Sequence, residues 1–180
     1  MSTAFEARAG ALYERYAYPD WLRRHSLVVG RAALLLALDH ADAVDVASVA
    51  LGGYLHDIGR SPLLAGDPRD HNELGALVLR AEGLPECAAL ALRHPVYAVH
   101  DPRTAPRDLA ERIVYYADRR GGMTILPLDE RITETAVRHP EYAGPIERAR
   151  PLAREIERAV YARTSSRPED LARLVAARWP

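Results

Sequence analysis

The sequence contains no lysine and only one cysteine, Cys87, among its 180 residues. A single cysteine excludes an intramolecular disulfide, and without lysine the chain has neither a Schiff-base residue nor a lysine ligand for phosphate. All 24 basic residues are therefore arginine, and they nearly balance the 25 acidic residues. The formal charge of -1 gives no overall field that would recruit long nucleic acid or an anionic membrane.

Long hydrophobic runs are also missing. The longest apolar stretch, residues 32–38, is far shorter than the roughly 20 residues that cross a bilayer. The N-terminus has no run typical of a signal peptide, so we expect a cytoplasmic protein without membrane contact. With 48% apolar and 27% charged residues, the chain can bury one sizeable core, and we predict a single domain over residues 1–180.

Apolar residues recur at the helical period along most of the chain, and no long stretch alternates like a half-buried strand. This pattern predicts an all-α fold with helices at residues 21–38, 46–57, 70–80, 85–93, 109–118, 128–138, 146–163 and 168–178. Capping residues are available at Asp20, at Asp45, at Asp70 with Glu73, and at Ser166 with Glu169. We place the core at residues 20–125 and expect residues 126–180 to pack on it or to form a homodimer interface.

The positions of the histidines are the most informative feature. Four of the seven fall on or at the end of four different predicted helices, on or beside the apolar stripe: His25, His56, His71 and His94. Burying four imidazoles in one core without partners would cost on the order of 1–3 kcal/mol each. Binding to metal removes that cost. Two other histidines, His40 and His139, are expected to face solvent.

Two aspartates complete this set. Asp57 directly follows His56, and adjacent side chains on a helix point about 100° apart, so Asp57 can reach the same ion or bridge two ions. Asp118 ends the apolar run of residues 113–117. A carboxylate there is expensive to bury and is poorly placed against the helix dipole, unless a cation lies nearby.

These residues resemble the HD-domain superfamily of metal-dependent phosphohydrolases. The resemblance covers roughly residues 22–118 and rests on His25 in RHSLVVGRAALL, the His56-Asp57 doublet in LHDIG, the segments HNELGALVLRAEGL and ALRH, and Asp118 in YYADR. Several segments in the right order are far more specific than the doublet alone. The resemblance implies an all-α bundle of five or more helices with a central metal site.

The resemblance also implies the ligands. His25, His56, Asp57 and Asp118 would hold one divalent ion. His71 and His94 stand where two-metal members carry further ligands, which favours two ions per chain with Asp57 as the bridge. Nitrogen and oxygen ligands without thiolate suit Fe, Mn, Co, Ni or Zn. Pro95 biases His94 away from helical geometry, which weakens the assignment of His94 as a ligand.

Arginines lie near all these segments, at Arg24, Arg60, Arg93 and Arg119. Planar guanidinium groups bind phosphate through paired hydrogen bonds, so these four are the candidate substrate-binding residues. Arg60, with Asp57, is also a candidate catalytic residue. The favoured function is hydrolysis of a phosphate ester or anhydride, in a nucleotide or another small phosphorylated metabolite, by metal-activated water.

Two alternatives stay open. A minority branch of the superfamily uses the same ligand order in non-haem di-iron oxygenases, whose sugar-alcohol members hold the substrate with a lysine that this chain lacks. A metal-binding regulatory module without activity is the other alternative, although all six ligand candidates are retained. No motif specifies the substrate.

Overall fold

The computed structural model describes residues 4–179, and over that range the chain forms nine α-helices. They are α1 (Ala4–Arg15), α2 (Asp20–Leu38), α3 (Val46–Leu55), α4 (His71–Ala81), α5 (Pro85–Arg93), α6 (Leu109–Asp118), α7 (Leu128–Arg138), α8 (Ala143–Tyr161) and α9 (Leu171–Arg178). Residues 4–179 contain no β-strand, which confirms the all-α prediction. None of these helices is both long enough and apolar enough to cross a membrane.

Most predicted helices lie where the sequence places them, and α5, α6 and α7 have the predicted ends. No helix is predicted for residues 4–15, yet α1 forms there and buries Ala9, Leu12 and Tyr13. The predicted end of α3 at Asp57 is wrong: the helix ends two residues earlier, at Leu55. Short 3₁₀ helices occupy parts of the intervening loops: Ile58–Arg60, Pro62–Leu64, Val96–His100, Pro140–Tyr142 and Pro168–Asp170.

The helix caps agree only in part with the prediction. Asp45 caps α3 as predicted, since its carboxylate accepts two backbone N–H groups of the first turn. The prediction for Asp20 is wrong: Pro19 is the N-cap of α2 and Asp20 is the first helical residue. Asp70 is the N-cap of α4, but its side chain makes no capping hydrogen bond, so the predicted box with Glu73 does not form.

The capping box predicted near the C-terminus, Ser166 with Glu169, does not form. The Asp170 carboxylate accepts the backbone N–H of Arg167 at 3.2 Å, in place of the predicted pair of Ser166 and Glu169. The Ser166 hydroxyl instead donates to the Asp39 carboxylate at 2.9 Å. The contact with Asp39 ties the segment before α9 to the end of α2.

Helices α2 and α3 pack closely because glycine lies at their crossing. A Cβ on Gly30 would lie 2.0 Å from the ring of Tyr54, and one on Gly53 would lie 2.6 Å from the Cβ of Ala33. Side chains at these two positions would force the helices apart. The close crossing brings His25 of α2 next to the end of α3.

Helices α7, α8 and α9 share a buried apolar cluster with the preceding helices. Ile132, Ile146, Val160 and Trp179 all belong to it. The prediction that His40 faces solvent is wrong: the side chain is buried, with Nε2 at 2.7 Å from the carbonyl oxygen of Val160. Residues 126–179 therefore pack on the earlier helices within one chain.

Candidate metal centre

All six predicted metal ligands meet at the centre of the bundle, five of them at helix ends. His25 lies within α2. The other five are His56 directly after α3, Asp57 next to it, His71 at the start of α4, His94 directly after α5, and Asp118 at the end of α6. Five of the six are buried, and His71 is partly exposed. The ends of four helices, α3, α4, α5 and α6, thus meet at this site.

One group of ligand atoms lies around the Nε2 atoms of His25 and His56, which are 3.2 Å apart. His25 Nε2 is 3.3 Å from Asp118 Oδ1 and 3.7 Å from Asp57 Oδ2. His56 Nε2 is 3.6 Å from the same Asp57 oxygen. Ligand atoms that bind one ion at about 2.0–2.2 Å lie roughly 2.8–4.4 Å from each other, depending on the coordination angle, so these spacings fit a shared ion.

A second group lies on the other side of Asp57. The Nε2 atoms of His71 and His94 are 3.3 Å apart. Asp57 Oδ1 lies 3.5 Å from His71 Nε2 and 3.2 Å from His94 Nε2. The two carboxylate oxygens of Asp57 therefore face two different pairs of histidines.

Backbone carbonyls orient the histidine rings. The Nδ1 atom of His56 lies 2.8 Å from the carbonyl oxygen three residues earlier, and that of His94 lies 2.6 Å from the equivalent oxygen in α5. Because a carbonyl only accepts, Nδ1 carries the proton in both rings. Each Nε2 is left with its lone pair toward the centre, as metal-binding histidines require.

Burial and the neighbouring charged groups together set the charge of these side chains. It lowers the pKa of His56 to about 4 and that of His71 to about 3, so both rings are neutral at pH 7. Burial alone would raise the pKa of the Asp57 and Asp118 carboxyls. The neighbouring arginines and histidines outweigh it and hold both values well below the usual range. Neutral imidazoles and ionised carboxylates are the forms that bind metal.

The backbone around Asp57 differs from the prediction. Asp57 lies outside α3, with φ -101° and ψ 19°, so its direction is not set by helical geometry. The following turn packs against α4, where a Cβ on Gly59 would lie 1.9 Å from the carbonyl oxygen of His71.

His94 keeps helical dihedral angles, φ -77° and ψ -25°, in spite of Pro95. The bias expected from Pro95 is therefore overridden, and His94 points into the centre.

Comparison with known families agrees with this geometry. Residues 22–123 match the model of the HD domain. The chain belongs to the HD-domain family. That family forms a metal-dependent phosphohydrolase superfamily, and the match spans more than half of the chain. Neither a search of curated proteins nor one of solved structures found a match.

Two of the four predicted arginines contact candidate metal ligands. Arg60 Nε donates to Asp57 Oδ1 at 2.7 Å, and its Nη2 lies 3.0 Å from His71 Nε2. Arg119 donates to Asp118 Oδ2 and lies over the ring of Tyr115. Both arginines therefore reach the carboxylates that face the candidate ions.

The structure places the other two arginines elsewhere. Arg24 is exposed on α2 and does not line the central cavity, because it points away from the neighbouring His25 around the helix. Arg93 is buried in an ion pair with Glu111, with 3.0 Å between Nε and Oε1. It also donates to the carbonyl of Arg103 at 2.6 Å, so its side chain holds the loop after α5.

A cavity of about 930 Å³ opens above the ligands and extends beyond the residues matched by the HD domain. Arg60 and Arg119 line it close to the ligands, and α7 supplies Arg131 and Arg138. Neither of these α7 arginines is predicted as a site residue from the sequence, although their spacing of seven residues places them on one face of a helix. Exposed apolar side chains complete the lining: Trp21, Tyr97, Met123 and Tyr142.

Proposed function

We propose that this HD domain is a phosphohydrolase that holds two divalent ions and acts on a small phosphorylated substrate. The observation that carries the proposal is the placement of Asp57, whose Oδ2 faces His25 and His56 while its Oδ1 faces His71 and His94. A carboxylate shared in this way suits a bridge between two ions. His25, His56 and Asp118 would complete one ion's ligands, and His71 and His94 the other's.

The donor set fits divalent metal because the imidazoles of His56 and His71 are neutral and the carboxylates of Asp57 and Asp118 are ionised. When bound, divalent ions supply an activated water and polarise a phosphoryl oxygen. Nitrogen and oxygen ligands without thiolate are compatible with Fe, Mn, Co, Ni or Zn.

Arg60 has two roles that follow from its contacts. In this structure its guanidinium hydrogen-bonds the Asp57 and His71 atoms that would face the second ion. The Nε2 atom of His71 has a single lone pair, so a metal ion bound there would require Arg60 to release this atom, whereas the Asp57 oxygen can accept from Arg60 and bind metal together. The released guanidinium stays beside the centre, where it would bind a phosphoryl oxygen and offset the charge that develops on it.

Arg119 supports the same reaction from the other side. Its guanidinium holds Asp118 Oδ2, which leaves Oδ1 directed at His25 and His56. The buried Nε of Arg119 has no hydrogen-bond partner within residues 4–179, and the residue lines the cavity. The charge of Arg119 would therefore favour an anionic substrate in the cavity.

The cavity supports a substrate of nucleotide size. Its volume of about 930 Å³ lies near the upper end of the roughly 300–1,000 Å³ typical of small-molecule sites. The arginines near the ligands suit a phosphate group, and the aromatic residues Trp21, Tyr97 and Tyr142 suit a flat apolar part such as a base. We therefore propose a nucleotide or a comparable phosphorylated metabolite as the substrate.

The test is phosphate release from a panel of nucleotides and sugar phosphates, by protein loaded in turn with Mn, Fe, Co, Ni and Zn. We expect release that a chelator abolishes and that proceeds equally with and without oxygen. His56→Ala should be inactive at every metal concentration. Oxygen consumption without phosphate release would overturn the proposal in favour of an oxygenase, and stable metal binding without turnover of any compound would favour a regulatory module.

A further inference from the structure

Helix α7 brings two arginines to the cavity from outside the HD match. Arg131 and Arg138 line the same cavity as the metal ligands, while the family match ends at residue 123. They lie two helical turns apart on one face of α7. This side of the cavity therefore belongs to the chain's own C-terminal part.

Arg131 is a buried cation with unused hydrogen-bonding capacity. The residue is only 6% exposed, and its Nε donates to the carbonyl of Gly121 at 2.6 Å. Its Nη1 contacts Glu134 and Thr135, whereas no partner within residues 4–179 accepts a hydrogen bond from Nη2. A guanidinium this buried is costly unless an anion compensates its charge.

Compensation on this side of the cavity is incomplete. Glu134 is the carboxylate paired with Arg131, at 2.9 Å, and its other oxygen accepts from Arg138 at 2.8 Å. One carboxylate thus serves two guanidinium groups. The acidic residues that line the cavity are Asp57, Asp70 and Asp118, of which two are candidate metal ligands. Arg131 and Arg138 form what we call the α7 wall, and this wall keeps an excess positive charge that faces the cavity.

We propose that Arg131 and Arg138 form a second anion-binding subsite, so that the substrate carries an anionic group in addition to the phosphoryl group that reacts. This inference rests on the proposed function for the position of the reacting group. The second group is a phosphate or a carboxylate, since both present the planar or tetrahedral oxygens that guanidinium binds in pairs.

The experiment uses alkylphosphonates of several chain lengths that end in methyl, carboxylate or phosphonate. These compounds resist hydrolysis, so calorimetry on the metal-loaded full chain measures their binding without turnover. At the chain length that spans the two subsites, we expect a charged end to strengthen binding about tenfold over the methyl end. Comparing carboxylate with phosphonate identifies the preferred group.

Variants of the wall separate this subsite from the metal centre. Arg138→Gln should remove most of the gain from the charged end, and Glu134→Gln should increase it because a competing carboxylate is lost. Arg154→Gln is the matched control, since this exposed arginine pairs with Asp129 and does not line the cavity. Arg138 is itself half-exposed, so its loss should leave the fold intact.

The proposal is overturned if a charged end does not strengthen binding at any chain length. It is also overturned if Arg138→Gln prefers the charged end over the methyl end as strongly as the parent protein does. Failure of the proposed function gives a different pattern. In that case the charged second end still strengthens binding, and Arg138→Gln still removes this gain. No phosphate is released from any compound, however, and binding of the phosphonate group shared by all the compounds does not depend on metal.

Discussion

The two sides of the cavity differ in how firmly their side chains are held. The ligand side is buried, its histidine rings are oriented by backbone carbonyls, and it lies within the HD match. The mouth is more open: Trp21 is 54% exposed and Tyr142 is 58% exposed. The α7 wall and Tyr142 lie beyond the family match. Rigid placement suits chemistry that depends on ligand geometry, whereas the exposed side chains at the mouth suit the choice of substrate.

The largest effect should come from the bridge. Asp57→Ala removes the oxygens shared by both groups of histidines, so we expect loss of metal and a fall in phosphate release of about a thousandfold or more, equivalent to roughly 4 kcal/mol. Far-ultraviolet circular dichroism should stay close to that of the parent. Asp42→Ala, at an exposed aspartate, is the control. Global unfolding of Asp57→Ala would mean that the metal is structural.

A smaller but still large effect is expected from the packing beneath the ligands. In Gly59→Ala the new Cβ meets the backbone of His71, so α4 must shift, at a cost of roughly 1–3 kcal/mol or more. Gly10→Ala is the matched control because nothing lies within 4 Å of its Cβ, and it should stabilise α1 by about 0.5–1 kcal/mol. Thermal unfolding of both variants decides the point. Equal melting temperatures would contradict the close approach.

Arg60 separates metal binding from substrate binding. Arg60→Ala should lower kcat/KM for a phosphate substrate by about 10- to 100-fold, because a charge-assisted contact to the phosphoryl group is lost. It should not lower metal content, since the lone pairs that Arg60 occupies on Asp57 and His71 become free. Arg154→Ala is the control. Steady-state kinetics with metal analysis tests both parts, and loss of metal would show that Arg60 holds the centre together.

The smallest effect is expected at the mouth. Tyr142→Ala should raise KM a few-fold, about 1 kcal/mol, and leave kcat unchanged, because the side chain contacts the part of the substrate that does not react. Val137→Ala is the control, since Val137 is also exposed but does not line the cavity, and it should change neither constant. A fall in kcat for Tyr142→Ala would place this residue nearer the chemistry than its position suggests.

The six candidate ligands that meet at the centre could be named from the sequence because the histidines lie on or at the ends of four predicted helices and because the surrounding segments resemble the HD domain. His25, for example, lies among the buried residues of α2, and Asp118 ends α6 where an acid is unfavourable. The orientation of Asp57 could not be predicted, since it depends on where α3 ends. That end is set by packing of the turn at Gly59 against α4, which is a contact between distant elements.

The arginines show that being next to a candidate ligand along the chain does not predict a place in the cavity. Arg24 and Arg93 lie next to ligands along the chain but point elsewhere, whereas Arg131 lies far along the chain and lines the cavity. Adjacent residues on a helix diverge by about 100°, so proximity in sequence does not give proximity to a site. Arginine is also the only basic residue available, which removes any contrast in residue type that would mark the functional ones.

The central claim is that Asp57 joins two metal sites, and metal stoichiometry tests it most directly. Elemental analysis of the full chain, after loading and removal of free metal, should find about two divalent ions per chain, and His71→Ala should retain about one. His25, His56 and Asp118 stay in place in that variant and keep the first ion. A parent chain that holds a single ion, or a His71→Ala variant that holds as much metal as the parent, would contradict the account.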